Sequence, residues 1–234
     1  MLWAPWMVGG MVSLGAAVPG TLPCPDPVLT DSYVILAALQ EQSARARQLV
    51  ARARRLVGIR SLRSVTSKGT DDCSGLVRYL YEREGVDLIQ VPGEAGGSAV
   101  AFIYQTAKKL QALRSTHPAP GDLVFFRDTY DRNRDGRRND GLTHVGLVES
   151  VDDVSGTLRF IHRSSMGVTR ERMNLRQPLD HQDPASREIL NDYVRPPGAR
   201  ASVPRLAGEL FAGFASAQVL LGATASTPSL ARSR

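Results

Sequence analysis

The run Asp71-Asp72-Cys73-Ser74-Gly75-Leu76-Val77-Arg78-Tyr79-Leu80-Tyr81 decides how the rest of the chain is read. Leu76, Val77 and Leu80 recur at helical spacing, Asp72 is a residue type that caps helix starts, and Gly85 supplies a stop signal. The pattern predicts a helix with Cys73 in its first turn. A thiol there faces unpaired backbone N–H groups and the positive end of the helix dipole, which favours the thiolate. Such a cysteine is either a prepared nucleophile or a small buried filler, and the choice has to come from elsewhere in the sequence.

Downstream of Pro118 and Pro120 the periodicity changes. Asp122-Leu123-Val124-Phe125-Phe126, Thr143 to Val151, Leu158-Arg159-Phe160-Ile161-His162 and Ile189 to Val194 are short β-rich runs between turns. Upstream, Asp31 to Val57 reads as a helix with Val34, Leu36, Leu39, Leu49, Val50 and Leu56 on its apolar side and arginines on its solvated faces. Ala99 to Leu113 reads as another, with Phe102, Ile103, Ala107 and Leu110 inward. Helices first and a strand meander after them imply an α+β fold, an antiparallel sheet of about five or six strands with helices on one side. The stretch from Leu206 to Leu221 spaces Leu206, Leu210, Phe211, Phe214 and Leu221 at three- and four-residue steps, so a C-terminal helix is expected there, docked on the domain, before a disordered tail.

Two of the four histidines sit in the predicted strands. His144 opens one apolar run and His162 closes another. With Cys73 upstream they supply the parts of a thiol triad: a nucleophile, an imidazole that takes its proton, and a third polar group that fixes the imidazole's tautomer. His117 and His181 lie in proline-flanked polar loops and read as surface residues.

A net charge of +6 suits a polyanionic neighbour, but no nucleic-acid motif accompanies it. The 42% hydrophobic and 22% charged content excludes wholesale disorder, and 234 residues suit one catalytic domain with short extensions. Residues 1–22 are apolar, uncharged and broken by Gly and Pro, which suits a signal peptide cut near Ala16-Ala17 better than a membrane span. An extracytoplasmic protein is therefore expected. Pro23 before Cys24 does not resemble a lipoprotein cleavage box, and a Cys24–Cys73 bridge would silence Cys73.

The blocks Asp72 to Val77, Pro120 to Phe126, His144 to Val148 and Phe160 to His162, in that order, resemble the NlpC-type cysteine peptidases. These are papain-like hydrolases that mostly cut bacterial cell-wall peptides. The helix Arg47 to Gly58 is similar to the one preceding the cysteine helix in that family. The resemblance covers about residues 44–197, leaving 23–43 as an N-terminal extension and 198–234 as a C-terminal helix and tail. It implies Cys73 as nucleophile, His144 as general base and then acid, and His162 as the orienting third member. Asp72 and Ser74 are expected at the substrate and oxyanion side, where two backbone N–H groups, that of Cys73 among them, would hold the developing charge. Family members commonly carry a Tyr and a Gly pair just before the cysteine helix; Ser61 to Thr70 has no aromatic residue and only Gly69. Expected partners are peptidoglycan peptides, with no nucleic acid, no membrane insertion and a monomeric state. The alternatives are a wall-binding module without turnover and a related thiol amidase or acyltransferase.

One further motif stands apart. Asp131-Arg132-Asn133-Arg134-Asp135-Gly136 follows the D-x-N-x-D-G start of a calcium loop, with Asn139 beyond it. Asp131, Asn133, Asp135 and Asn139 are the candidate ligands for a structural calcium ion. Leu142 stands at step twelve, where a bidentate acid is usual; Asp140 or Asp128 would have to substitute. The thiol chemistry itself requires no cofactor.

Overall fold

The computed structural model describes residues 27–90, 97–195 and 204–223, with side chains from Ser32 onward. The expected signal peptide, Cys24 and the C-terminal tail beyond Ala223 lie outside them. Three helices come first: α1 (Pro27–Leu56), α2 (Cys73–Glu82) and α3 (Ala99–Lys109). The strands follow as β1 (Leu113–Arg114), β2 (Leu123–Arg127), β3 (Leu142–Val151), β4 (Thr157–Ser164) and β5 (Gly167–Asn174). The short helix α4 (Ala207–Leu210), strand β6 (Phe211–Ala215) and helix α5 (Ala217–Gly222) complete the order. The fold is α+β, as the sequence pattern implies, with a sheet of six strands in the order β1-β6-β2-β3-β4-β5. All its pairings are antiparallel.

Strand alternation divides the core in two. Leu123, Phe125, Val145, Leu147 and Ile161 face the helices and pack with Leu49, Ala53, Leu76, Leu80 and Ile103. Val124, Phe126, Val148, Phe160, Met173 and, from β6, Phe214 face the other way and cluster with Leu210 of α4. Full burial of each such side chain contributes about 1.5–3 kcal/mol. Tyr81, wholly buried on α2, donates its hydroxyl to the Gly121 carbonyl at 2.9 Å and so ties α2 to the start of β2. Asp122 accepts from the Ala217 N–H at 2.8 Å and from the Ala119 N–H at 2.8 Å, joining that corner to α5. The Pro-Gly-Asp block is thus a structural joint.

Three local expectations change. The stretch from Leu206 to Leu221 is not one helix: β6 occupies its middle, inserted between β1 and β2. Its Phe and Ala residues satisfy helical spacing, and the strand keeps Phe211 and Phe214, three apart, in one cluster by a register shift opposite Phe125 and Phe126. Ile189 to Val194 forms no strand; it contributes only isolated bridges at Ile189 and Tyr193. In α1, Leu49, Val50 and Leu56 are buried as expected, but Val34 (63% exposed) and Leu36 (54%) are not. Several arginines of α1 are paired rather than free: Arg52 reaches Glu84 at 2.7 Å and Arg54 reaches Glu149 at 2.8 Å.

Candidate active site

The start of α2 is built by one carboxylate oxygen. Asp72 Oδ1 accepts from the Gly75 N–H at 2.8 Å, the Ser74 hydroxyl at 2.7 Å and the Thr70 hydroxyl at 2.9 Å. A capping bond of this kind stabilises a helix by about 1 kcal/mol. Asp72 and Ser74 therefore hold the helix start in place, and their side-chain bonds are made within it. Gly75 is needed for a steric reason, since a Cβ there would lie 1.8 Å from the Thr70 carbonyl oxygen. The loop before the helix is fixed in turn by Asp71, which accepts from the Leu62 N–H at 2.9 Å, the Ser61 hydroxyl at 2.7 Å and Arg163 of β4 at 3.0 Å.

Cys73 is a free thiol, half-buried at this helix start. Burial pushes the thiol up from its ordinary value to about 11. The backbone N–H of Val145 pulls in the opposite direction, the Asp72 charge adds to the rise, and the N–H groups of Ser74 and Cys73 lower it. The expectation of a favoured thiolate is thus reversed at rest: desolvation outweighs the N–H groups of the helix start. The Val145 contact also locates the sulfur against β3, beside His144.

His144 and His162 meet through their rings. His144 Nε2 lies 2.5 Å from His162 Nδ1, with the two rings edge to face. Gly146, two positions after His144 on β3, sits close against β4: a Cβ there would come within 3.1 Å of Phe160 and 3.3 Å of His162 Cβ. Burial first, and the neighbouring His162 second, hold His144 well below the ordinary imidazole value, so it rests neutral. His162 is buried, and its other nitrogen lies 3.0 Å from Glu171 Oε1 and 2.9 Å from the Thr169 hydroxyl. Neither of these β5 residues was marked by the sequence. The register explains why: His162 pairs with Thr169, and Glu171 follows two positions later on the same strand face.

Cys73, His144, His162 and Glu171 line one cavity of about 680 Å³. The other walls come from Ser98 and Val100 of the α3 start and from Tyr193 and Arg195. Tyr130, from the loop after β2, also lines it, and burial raises its phenol above the ordinary value. An aromatic residue therefore lines the cavity although Ser61 to Thr70 offers none. The arrangement holds a neutral thiol, a neutral imidazole with one nitrogen committed to a second imidazole, and backbone N–H groups at a helix start. Those are the parts of acyl transfer through sulfur.

The calcium motif folds on itself. Asp131 Oδ2 accepts from Gly136 N–H at 2.8 Å, Asn133 Oδ1 from Asp135 N–H at 3.0 Å, and Asp135 Oδ2 from the Asn139 amide at 3.0 Å. Among the described residues no cluster of three or more His, Cys, Asp or Glu side chains converges as metal ligands would. Of the remaining histidines, His117 is exposed as read, whereas His181 is half-buried, stacked on Tyr193 with its Nδ1 2.6 Å from the Asn191 carbonyl.

No curated protein and no solved structure matches the chain. The sequence pattern of the NlpC/P60 family matches residues 63–186, a span that runs from the 3₁₀ turn before α2 past β5 and takes in Cys73, His144, His162 and Glu171. That span is more than half of the 234 residues, and the chain belongs to the NlpC/P60 family.

Proposed function

We propose that the protein is an extracytoplasmic cysteine hydrolase that cleaves an amide bond in peptidoglycan stem peptides. The family suggests cell-wall peptidase activity and is generally one of cysteine peptidases. The observation that carries the reading to named residues is the His144–His162 contact in the cavity that holds the Cys73 sulfur. His144 takes the thiol proton as Cys73 Sγ attacks the amide carbon, and the N–H groups at the helix start receive the charge developing on oxygen. The proton passes from His144 to the departing amine. Water, deprotonated by the same imidazole, then splits the thioester and restores the thiol. His162 orients His144 throughout. The net charge of +6 favours residence at an anionic wall. Among the described residues no helix is long and apolar enough to cross a membrane.

The test is digestion of purified sacculi by wild type, Cys73→Ala and His144→Ala, with released fragments read by mass spectrometry and folding checked by thermal melting. Wild type should release peptides cut at one type of amide bond, and both folded variants should release none. Undiminished release by either variant would defeat the reading. The raised thiol supports a second reading, a wall-binding module without turnover. In that case wild type would sediment with sacculi and release nothing.

A further inference from the structure

We propose that Glu171 is a positioning residue that sets the direction of the hydrogen bond between the two histidines, making the pair a one-way relay toward Cys73. This deepens the functional reading above and rests on it for the identity of the nucleophile.

Two neutral imidazoles in contact can share their hydrogen bond in either direction. If His162 Nδ1 carries the proton, His144 Nε2 must accept it. The His144 proton then sits on Nδ1, the one ring nitrogen left to face outward, and His144 cannot act as a base. If His144 Nε2 carries the proton instead, its Nδ1 is a free lone pair and the base is competent. The contact at 2.5 Å fits both states. Something must choose between them.

The choice is made at the far nitrogen of His162. Thr169 lies 2.9 Å from it, but a hydroxyl can donate as well as accept and so selects nothing. The Glu171 carboxylate lies 3.0 Å away at ion-pair distance, and its charge when ionised favours a proton on the nitrogen that faces it. It therefore favours a proton on His162 Nε2, which leaves His162 Nδ1 as an acceptor and places the His144 proton on Nε2. The chain of donors then runs from His144 to His162, with the Glu171 charge beyond it, and the lone pair of His144 Nδ1 is left for the thiol.

The surroundings leave Glu171 available for this task. Its side chain is 14% exposed, and Oε2 is buried with no hydrogen-bond partner. The other charges on the cavity wall have separate partners: Arg163 binds Asp71, Asp72 caps α2, and Arg195 donates to the Asp128 carbonyl at 2.7 Å. A negative charge behind the pair also supports the imidazolium that forms when His144 takes the thiol proton.

The test is long-range imidazole ¹H–¹⁵N NMR on the full chain, with the signals of His117 and His181 removed by His→Gln substitution. Wild type should show both His144 and His162 protonated on Nε2. Glu171→Gln, whose amide can donate to His162 Nε2, should place the proton of both rings partly or wholly on Nδ1. Thr169→Val, which keeps the carboxylate, should leave the wild-type pattern. Glu171→Asp should restore it at least in part. In turnover, Glu171→Gln should lower kcat on the order of a hundredfold with little change in KM. An unchanged imidazole pattern in a folded Glu171→Gln variant, or a scrambled pattern in Thr169→Val alone, would overturn the proposal. The NMR arm needs no substrate, so it reports the proton positions whether or not the protein hydrolyses the wall.

Discussion

Cys73 and His144 are both held neutral by the same cause. Burial pushes the thiol to about 11 and pulls the imidazole well below its ordinary value, so the resting pair is uncharged and the proton must move as attack proceeds. The pH dependence follows. Activity needs neutral His144, so kcat/KM should rise with pH through a point below the ordinary imidazole value of about 6.5 and then stay level well into the alkaline range. A pH–rate profile on a soluble stem peptide checks this. An acid half-point above about pH 7, or a second rise near pH 8–9, would mean that an ionised thiolate reacts instead. The sign for stability agrees: the unfolded chain binds the His144 proton more readily, so this residue's contribution is present above about pH 6.5 and declines as pH falls through that region. The position of the thiol was legible in Asp72, Leu76 and Leu80, because a helix start is a local pattern. Its charge state was not, because burial comes from β3, far along the chain.

At the scale of elements, the loop before α2 hangs on Asp71. Arg163, the Leu62 N–H and the Ser61 hydroxyl hold that carboxyl well below the usual carboxylate range. The stabilisation is therefore complete above the unfolded value of about 3.9 and is lost as pH drops further below it. Asp71→Asn should lower the melting temperature at neutral pH, speed amide exchange at Leu62, and remove part of the acid sensitivity of the melt. Equal melting curves for variant and wild type across the acid range would show that the clamp does not matter. The triad candidates were legible as residue types in short apolar strands. Glu171 was not, since its strand reads Gly-Val-Thr-Arg-Glu-Arg-Met-Asn and its charge looks solvated until the register with β4 turns it toward His162. The same blindness applies to β6, whose Phe211 and Phe214 fit a helix until the unpaired edges of β1 and β2 are taken into account.

Across the whole molecule, stability depends on the sheet being completed by a distant segment, β6. Phe214 of that strand is fully buried, against the cluster of Phe126 and Phe160. Phe214→Ala should cost about 3–5 kcal/mol in denaturant unfolding, whereas Val34→Ala in the exposed half of α1 should cost under about 0.5 kcal/mol. A Phe214 loss below about 1 kcal/mol would mean that β6 is only loosely docked. The overall α+β layering was readable from the change of period after Pro120. The strand order was not, because nothing local announces that the last strand will be placed between the first two.

That order has a consequence in time. During synthesis the pairing of β2 with β6 cannot form until Ala215 has been made, roughly 140 residues after Cys73. At about 5–20 residues per second the interval is on the order of ten to thirty seconds. Once β3 and β4 have been made, the sheet still lacks an interior strand, and the face that carries Val124 and Phe160 lacks Leu210 and Phe214. The nascent chain thus carries Cys73 beside a sheet that is still open between β1 and β2.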